Sequence, residues 1–112
     1  MGSTNYFSTI VKILENPKKT ASQKNTSISR FRAELPQIRK NKVIHLVFWG
    51  NLANHVSTYY QTNDYLIIEG YLSIRHKNNS NDLLKKNFQK IEIAVLKVYP
   101  FFLNPNRQTS KM

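Results

Sequence analysis

Two features of this 112-residue chain could do chemistry: one tryptophan and an excess of cations. Trp49 lies in V-F-W-G-N-L-A-N-H-V (47–56), at the end of an apolar run and directly before a glycine. The 17 Lys and Arg face only 6 Asp and Glu, giving a net charge of +11. Such a charge favours a polyanionic partner, either nucleic acid or an acidic membrane surface. An exposed ring among cations is suited to a single strand, because bases stack on the ring while cations follow the phosphates. A tryptophan in a valine-rich strand serves packing equally well. Its neighbours must decide.

Other chemistries find little support. His45, His55 and His76 have no i, i+4 partner and no H-E-x-x-H setting. The carboxylates Glu15, Glu34, Asp64, Glu69, Asp82 and Glu92 are scattered singly, without a pair to hold a divalent ion. Three glycines cannot make a phosphate-binding loop, and the absence of cysteine excludes disulfides, thiolate metal sites and a catalytic thiol. Neither an enzyme nor a cofactor nor a metal is expected. No apolar run reaches the ~18 residues that span a bilayer. The first thirty residues are Ser/Thr/Lys-rich and acid-poor, as in organellar transit peptides. Y-F-S-T-I-V-K-I-L (6–14) nonetheless reads as a strand, so this region is kept in the fold.

The elements that must position these residues are mostly strands. Period-two patterns rich in β-branched and aromatic residues predict strands at 5–14, 27–35, 42–49, 65–75 and 88–99. Polar stretches at 17–26, 36–41 and 76–82 carry the Pro, Asn, Asp and Ser of turns, the last extending to Asn87 as a long hairpin loop. Within 51–60, Leu52, Val56, Tyr59 and Tyr60 fall on one face of a short helix, and both tyrosines are assigned to packing. Five strands with one helix between the third and fourth is the chain order of an OB-fold, an all-β Greek-key barrel. Residues 1–103 form that single domain, and 104–112 read as a flexible basic tail.

Alternation then assigns faces. Ile44, Leu46 and Phe48 point to the core, while Val43, His45, Val47 and Trp49 point away. Leu66, Ile68, Leu72 and Ile74 share an inward face, and Ile67, Glu69, Tyr71, Ser73 and Arg75 the opposite one. Arg30 and Arg32 alternate with Phe31, Ala33 and Leu35 and face out. Lys18, Lys19 and Lys24 lie in the first connection, Arg39, Lys40 and Lys42 in or beside the second, and Lys77, Lys85, Lys86 and Lys90 line or follow the long loop. Lysine-bearing loops around a barrel add affinity for a strand with steep salt dependence.

F-W-G-N-L-A (48–53), a tyrosine at the helix end, N-D-Y-L-I-I-E-G-Y-L (63–72) and the following Arg75 resemble the single-stranded DNA-binding protein family. That family's pattern runs from a hydrophobe–aromatic–G–x–L–A helix start into a V/I/L-x-I-E-G-x-L strand. N-P at 16–17 is similar to its D-P or E-P. The resemblance covers residues 5 to about 103 and is most specific over 47–75. W-G-N-L-A is closest to cyanobacterial members. With a Lys/Asn/Ile/Tyr-rich composition, it points to members encoded in red-lineage plastids, hence a plastid location, or else bacterial cytoplasm or nucleoid.

The resemblance implies sequence-tolerant binding of single-stranded DNA in replication and repair, with Trp49 as a base-stacking ring. Val43, His45 and Lys77 fall near positions where bacterial members often carry tryptophan, a basic residue and tryptophan. Fewer rings and more charge imply weaker, more salt-sensitive binding. It also implies a homo-oligomer, dimer or tetramer, through the first strand, with Tyr6, Phe7 and Ile10 as candidate contacts. The glycine that usually follows the first strand's apolar run is missing from I-V-K-I-L. The chain ends R-Q-T-S-K-M, so recruitment of partner enzymes by an acidic tip is not expected. The interface assigned to nucleic acid comprises Trp49, His45, Arg30, Arg32, Arg39, Lys40, Lys42, Tyr71, Arg75, Lys77, Lys85 and Lys86. The same face would serve an RNA-binding or primosome-type domain, and a structural subunit of a larger nucleoprotein assembly is the remaining alternative.

Overall fold

The computed structural model describes residues 6–21, 24–36, 41–77 and 88–105, with backbone alone at 75–77 and 88–89. The elements are β1 (Tyr6–Ile13), β2 (Lys19–Ala21), β3 (Ser27–Leu35), β4 (Lys42–Trp49), α1 (Gly50–Tyr59), β5 (Tyr65–Lys77) and β6 (Phe88–Phe102). The five long strands and the helix stand in the order the sequence predicts. β2 was not predicted: K-T-A has no apolar alternation, and its pairing comes from Ser27–Ser29 of β3.

The strands run β1-β5-β6-β4-β3-β2, and β1 also pairs with β3 to close a five-stranded OB barrel with β2 outside it. β4 and β6 pair in parallel and the other pairs are antiparallel. Inside lie Val11, Ile13, Phe31, Ala33, Ile44, Leu46, Phe48, Leu66, Ile68, Ile93 and Val95, with Ala53, Val56 and Tyr60 from the helix end packed over them. Phe31 and Phe48 stack with ring centroids 5.3 Å apart. Burial of each large side chain contributes about 1.5–3 kcal/mol.

Two glycines answer to geometry. Gly50 has φ +62°, which lets the chain leave β4 and enter α1 in one residue after Trp49. Gly70 sits at a register shift between Glu69 and Gly70, where β6 crosses so closely that a Cβ would run into the Ala94 carbonyl. Asp64 then locks the barrel's end. It is buried, and its carboxylate accepts the backbone N–H of Gln61 (3.0 Å) and Asn104 (2.7 Å), while its carbonyl accepts from Ile13 (2.9 Å). Asn16 binds the backbone and hydroxyl of Thr62 at 2.9 Å, which ties the N-P turn to the segment after the helix.

Several predicted placements shift. Tyr60 is packed, but Tyr59 is exposed, since α1 ends there and turns only Tyr60 inward. Ile74 is 49% exposed although it shares the phase of Leu66 and Ile68. Residues 73–77 of β5 pair only with 88–92 of β6, forming a ribbon that outruns the core. β6 continues through Pro100 to Phe102 because this stretch pairs with β5 on one side only, where a missing N–H is tolerated. Phe7 packs against the core, leaving Tyr6 and Ile10 on the outer side of β1. No helix among the described residues is long and apolar enough to cross a membrane.

Candidate nucleic-acid interface

The outward residues of β3, β4, β6 and β5 line up in rows, because cross-strand partners share a face. One row runs Arg30, Val47, Ala94, Tyr71, and the next Arg32, His45, Glu92, Ser73. Trp49 stands at the end of β4 opposite Ile28 and is 48% exposed. Between Trp49 and these rows lies a depression of about 190 Å³, lined by Arg30, Val47, Trp49, Ser73, Glu92 and Ala94. These outward residues share one side of the sheet, though they differ in their surroundings.

Val47 is 4% exposed although it points outward, because the row leaves it between Arg30 and Ala94. Val43 is exposed, and Lys42 is exposed at the start of β4. Arg30 borders the depression. Arg32 is held by Glu15, whose Oε2 accepts its Nε–H at 3.1 Å and its backbone N–H at 2.7 Å. Tyr71 lies two strands from β4, ~10 Å across the sheet, with its ring edge against Tyr6 at 5.2 Å. The Tyr6 hydroxyl donates to Glu69 at 2.8 Å, which raises its pKa. The pair thus forms the far rim of the face, and Trp49 is the ring at the depression. Arg75 and Lys77 lie on the ribbon of β5. Arg39, Lys40, Lys85 and Lys86 fall outside the described residues.

His45 is the unusual member. It is half-buried between Arg32 and Glu92, and its Nδ1 is buried without a hydrogen-bond partner. Burial, then the nearby Lys90, lowers its pKa, Arg32 acting in the same sense while Glu92 and Glu15 partly oppose the shift. It therefore contributes a neutral ring at neutral pH, near a position where bacterial members of the family this chain resembles often carry a basic residue. Glu15 is lowered too, chiefly by the Arg32 backbone N–H.

These shifts set a pH dependence of stability. The unfolded chain protonates His45 more readily than the folded one, so stability falls as pH drops through about 6.5. Glu15 stabilises the fold above its ordinary carboxylate range and loses that contribution in a second, lower window. Urea midpoints between pH 8 and 4 should show both declines, with His45→Gln flattening the upper one alone. A midpoint that rises on acidification from pH 7 to 5.5 contradicts this.

Sequence reasoning missed Glu92 and Ala94 as parts of the site. The alternation I-E-I-A-V (91–95) places both outward, and that signal was available. A second concavity, about 460 Å³, lies between α1 and the end of β6 and is lined by His55, Tyr59, Tyr60, Val98, Pro100 and Leu103. It is apolar, and no Lys or Arg among the described residues lines it, so it does not suit a phosphate backbone. No group of three or more His, Cys, Asp or Glu able to hold a metal ion occurs among the described residues.

Comparison with known proteins places this geometry in context. The chain is 40% identical to the "putative single-stranded DNA-binding protein ycf41" of Trieres chinensis over 112 residues, 96% of this chain and 97% of that one. Among solved structures, the SSB domain of a Synechococcus sp. protein superposes with a TM-score of 0.68 at 22% identity, covering 88% of this chain and 98% of that domain. The second single-stranded DNA-binding protein of Mycobacterium smegmatis, SSBb, gives 0.66 at 21% identity over 88% of this chain and 89% of that one. Both confirm the barrel and its helix. No protein-family model matches the chain.

Proposed function

This chain belongs to the family of the ycf41 single-stranded DNA-binding proteins, and on that premise we propose that it binds single-stranded DNA by stacking bases on Trp49 and neutralising phosphates with its cations. It acts as a binder in DNA replication and repair and not as an enzyme. The observation that carries this reading is the half-exposed Trp49 ring beside a depression bordered by Arg30. In a chain of net charge +11, a flat apolar ring next to a guanidinium suits a ligand that is both aromatic and anionic. Lys42 on β4 and the further cations Arg39, Lys40, Lys85 and Lys86 extend the electrostatic contribution.

The protein forms a homo-oligomer in this reading. On the outer side of β1, β5 and β6, Ile10 pairs with Ile67 and Ile67 with Tyr99, an apolar row that a second copy would cover. Tyr6 and Tyr71 flank it. We infer a plastid setting, a reading that the relative in Trieres chinensis supports.

Fluorescence anisotropy with labelled oligo-dT, oligo-U and duplex DNA tests the function. Oligo-dT is expected to bind most tightly, with log K falling linearly in log salt by roughly 0.7 for each phosphate neutralised. Preference for duplex or for oligo-U, or no binding at low salt, contradicts it.

A further inference from the structure

A carboxylate is an unexpected part of a groove for a polyanion. Glu92 is 7% exposed, yet it borders the depression together with Trp49, Arg30 and Ser73. Strand register defines what it can reach. Same-face residues on a strand are ~6.6 Å apart, so Trp49, Val47 and His45 mark three successive rows. Val47 pairs with Ala94, and His45 with Glu92. The depression beside Trp49 runs along the Val47–Ala94 row, with Glu92 one row further on, so a base seated in it would turn an edge toward Glu92. Ala94 and Ser73 are small, which gives the depression its depth.

We propose that this depression reads the edge of the base stacked on Trp49, with Glu92 and Arg30 together favouring guanine and disfavouring thymine. The proposal rests on the single-strand reading and limits the sequence tolerance expected of it. A carboxylate only accepts hydrogen bonds. Guanine offers it two adjacent donors, N1–H and the N2 amino group, and beside them the O6 and N7 acceptors that an arginine donates to. Cytosine and adenine each present one amino group next to an acceptor. Thymine presents a lone N3–H between two carbonyl oxygens, which the carboxylate repels. Glu92 is already engaged within the protein, and its four lone-pair directions allow it to accept from a base edge as well.

The test uses the full chain and short fluorescent oligo-dT strands carrying one central guanine, hypoxanthine, adenine or thymine. One guanine suffices, because the strand can slide until that base is seated. Guanine is expected to tighten binding about tenfold over thymine, within the range of a good bidentate base contact. Hypoxanthine, which lacks the N2 amino group, should lose most of that gain. In Glu92→Gln, whose amide replaces one acceptor by a donor, the guanine advantage should collapse and oligo-dT affinity should rise, because the repulsion of thymine is removed. Equal affinities across the four strands overturn this proposal alone, as does a folded Glu92→Gln chain that keeps the full guanine advantage. If that variant does not fold, the guanine–hypoxanthine comparison on the native chain decides. Absence of binding to every strand overturns the single-strand reading itself.

Discussion

Trp49→Ala should bind single-stranded DNA about tenfold or more weakly than the native chain while folding normally. Base stacking on a protein ring is worth on the order of 1–3 kcal/mol, a factor of roughly 5 to 150 in affinity. Redundancy usually blunts such losses, because neighbouring rings share the strand. Among the described residues, one ring borders the depression, beside Val47 and Ala94. Tyr71 lies at the far rim against Tyr6, and Val43 offers no ring at all. Half-exposed at the end of β4, Trp49 contributes little to the core, so truncation leaves the barrel intact. The salt slope should be unchanged, since no charge is lost, whereas Lys42→Gln, which removes an exposed cation of β4, should reduce it by roughly 0.7. Anisotropy across a salt series, with far-UV circular dichroism as the folding control, checks both. A folded Trp49→Ala chain with native affinity would return Trp49 to a structural role.

The second large effect concerns the fold. Gly70→Ala is expected to destabilise the barrel by about 3 kcal/mol or more, at the upper end of what overpacking costs. The added Cβ would meet the Ala94 carbonyl and lie 2.9 Å from the Val95 Cα. Both are backbone atoms of a strand that pairs with β5 through Tyr65–Lys77 and with β4 in parallel, so neither can yield without breaking register. Gly50→Ala makes the contrast. Nothing lies within 4 Å of its added Cβ, and the cost is only that of φ +62°, about 1–2 kcal/mol. Urea denaturation followed by circular dichroism should therefore rank Gly70→Ala well below Gly50→Ala. The reverse order would contradict the close crossing at the bulge.

Much of the fold was legible because alternation is a direct readout of a half-buried strand. Ile44, Leu46 and Phe48 are buried and Trp49 is exposed, as the period of two requires. The same logic failed where burial is set by a neighbour distant in sequence. Val47 is covered by its row-mates Arg30 and Ala94, and Ile74 is uncovered because its ribbon leaves the core. Periodicity also cannot locate a helix end to within one residue, so Tyr59 and Tyr60 looked equivalent although only Tyr60 is packed. At the site, the outward phase of Arg30, Arg32 and His45 was readable, but their electrostatics were not. Glu15 reaches Arg32 across 17 residues of sequence, and the partial burial that keeps His45 neutral depends on β3 and β6 lying on either side of it. Glu92 was passed over because a single carboxylate in a basic chain carries no motif.

The most direct test of the central claim is a titration of the native protein with oligo-dT, followed by Trp49 fluorescence at several salt concentrations. The chain has no other tryptophan, so the signal reports one ring. Stacking predicts saturable quenching whose midpoint moves to higher DNA concentration as salt rises. Binding without quenching, or an affinity indifferent to salt, would contradict a strand held by Trp49 and the cations around it.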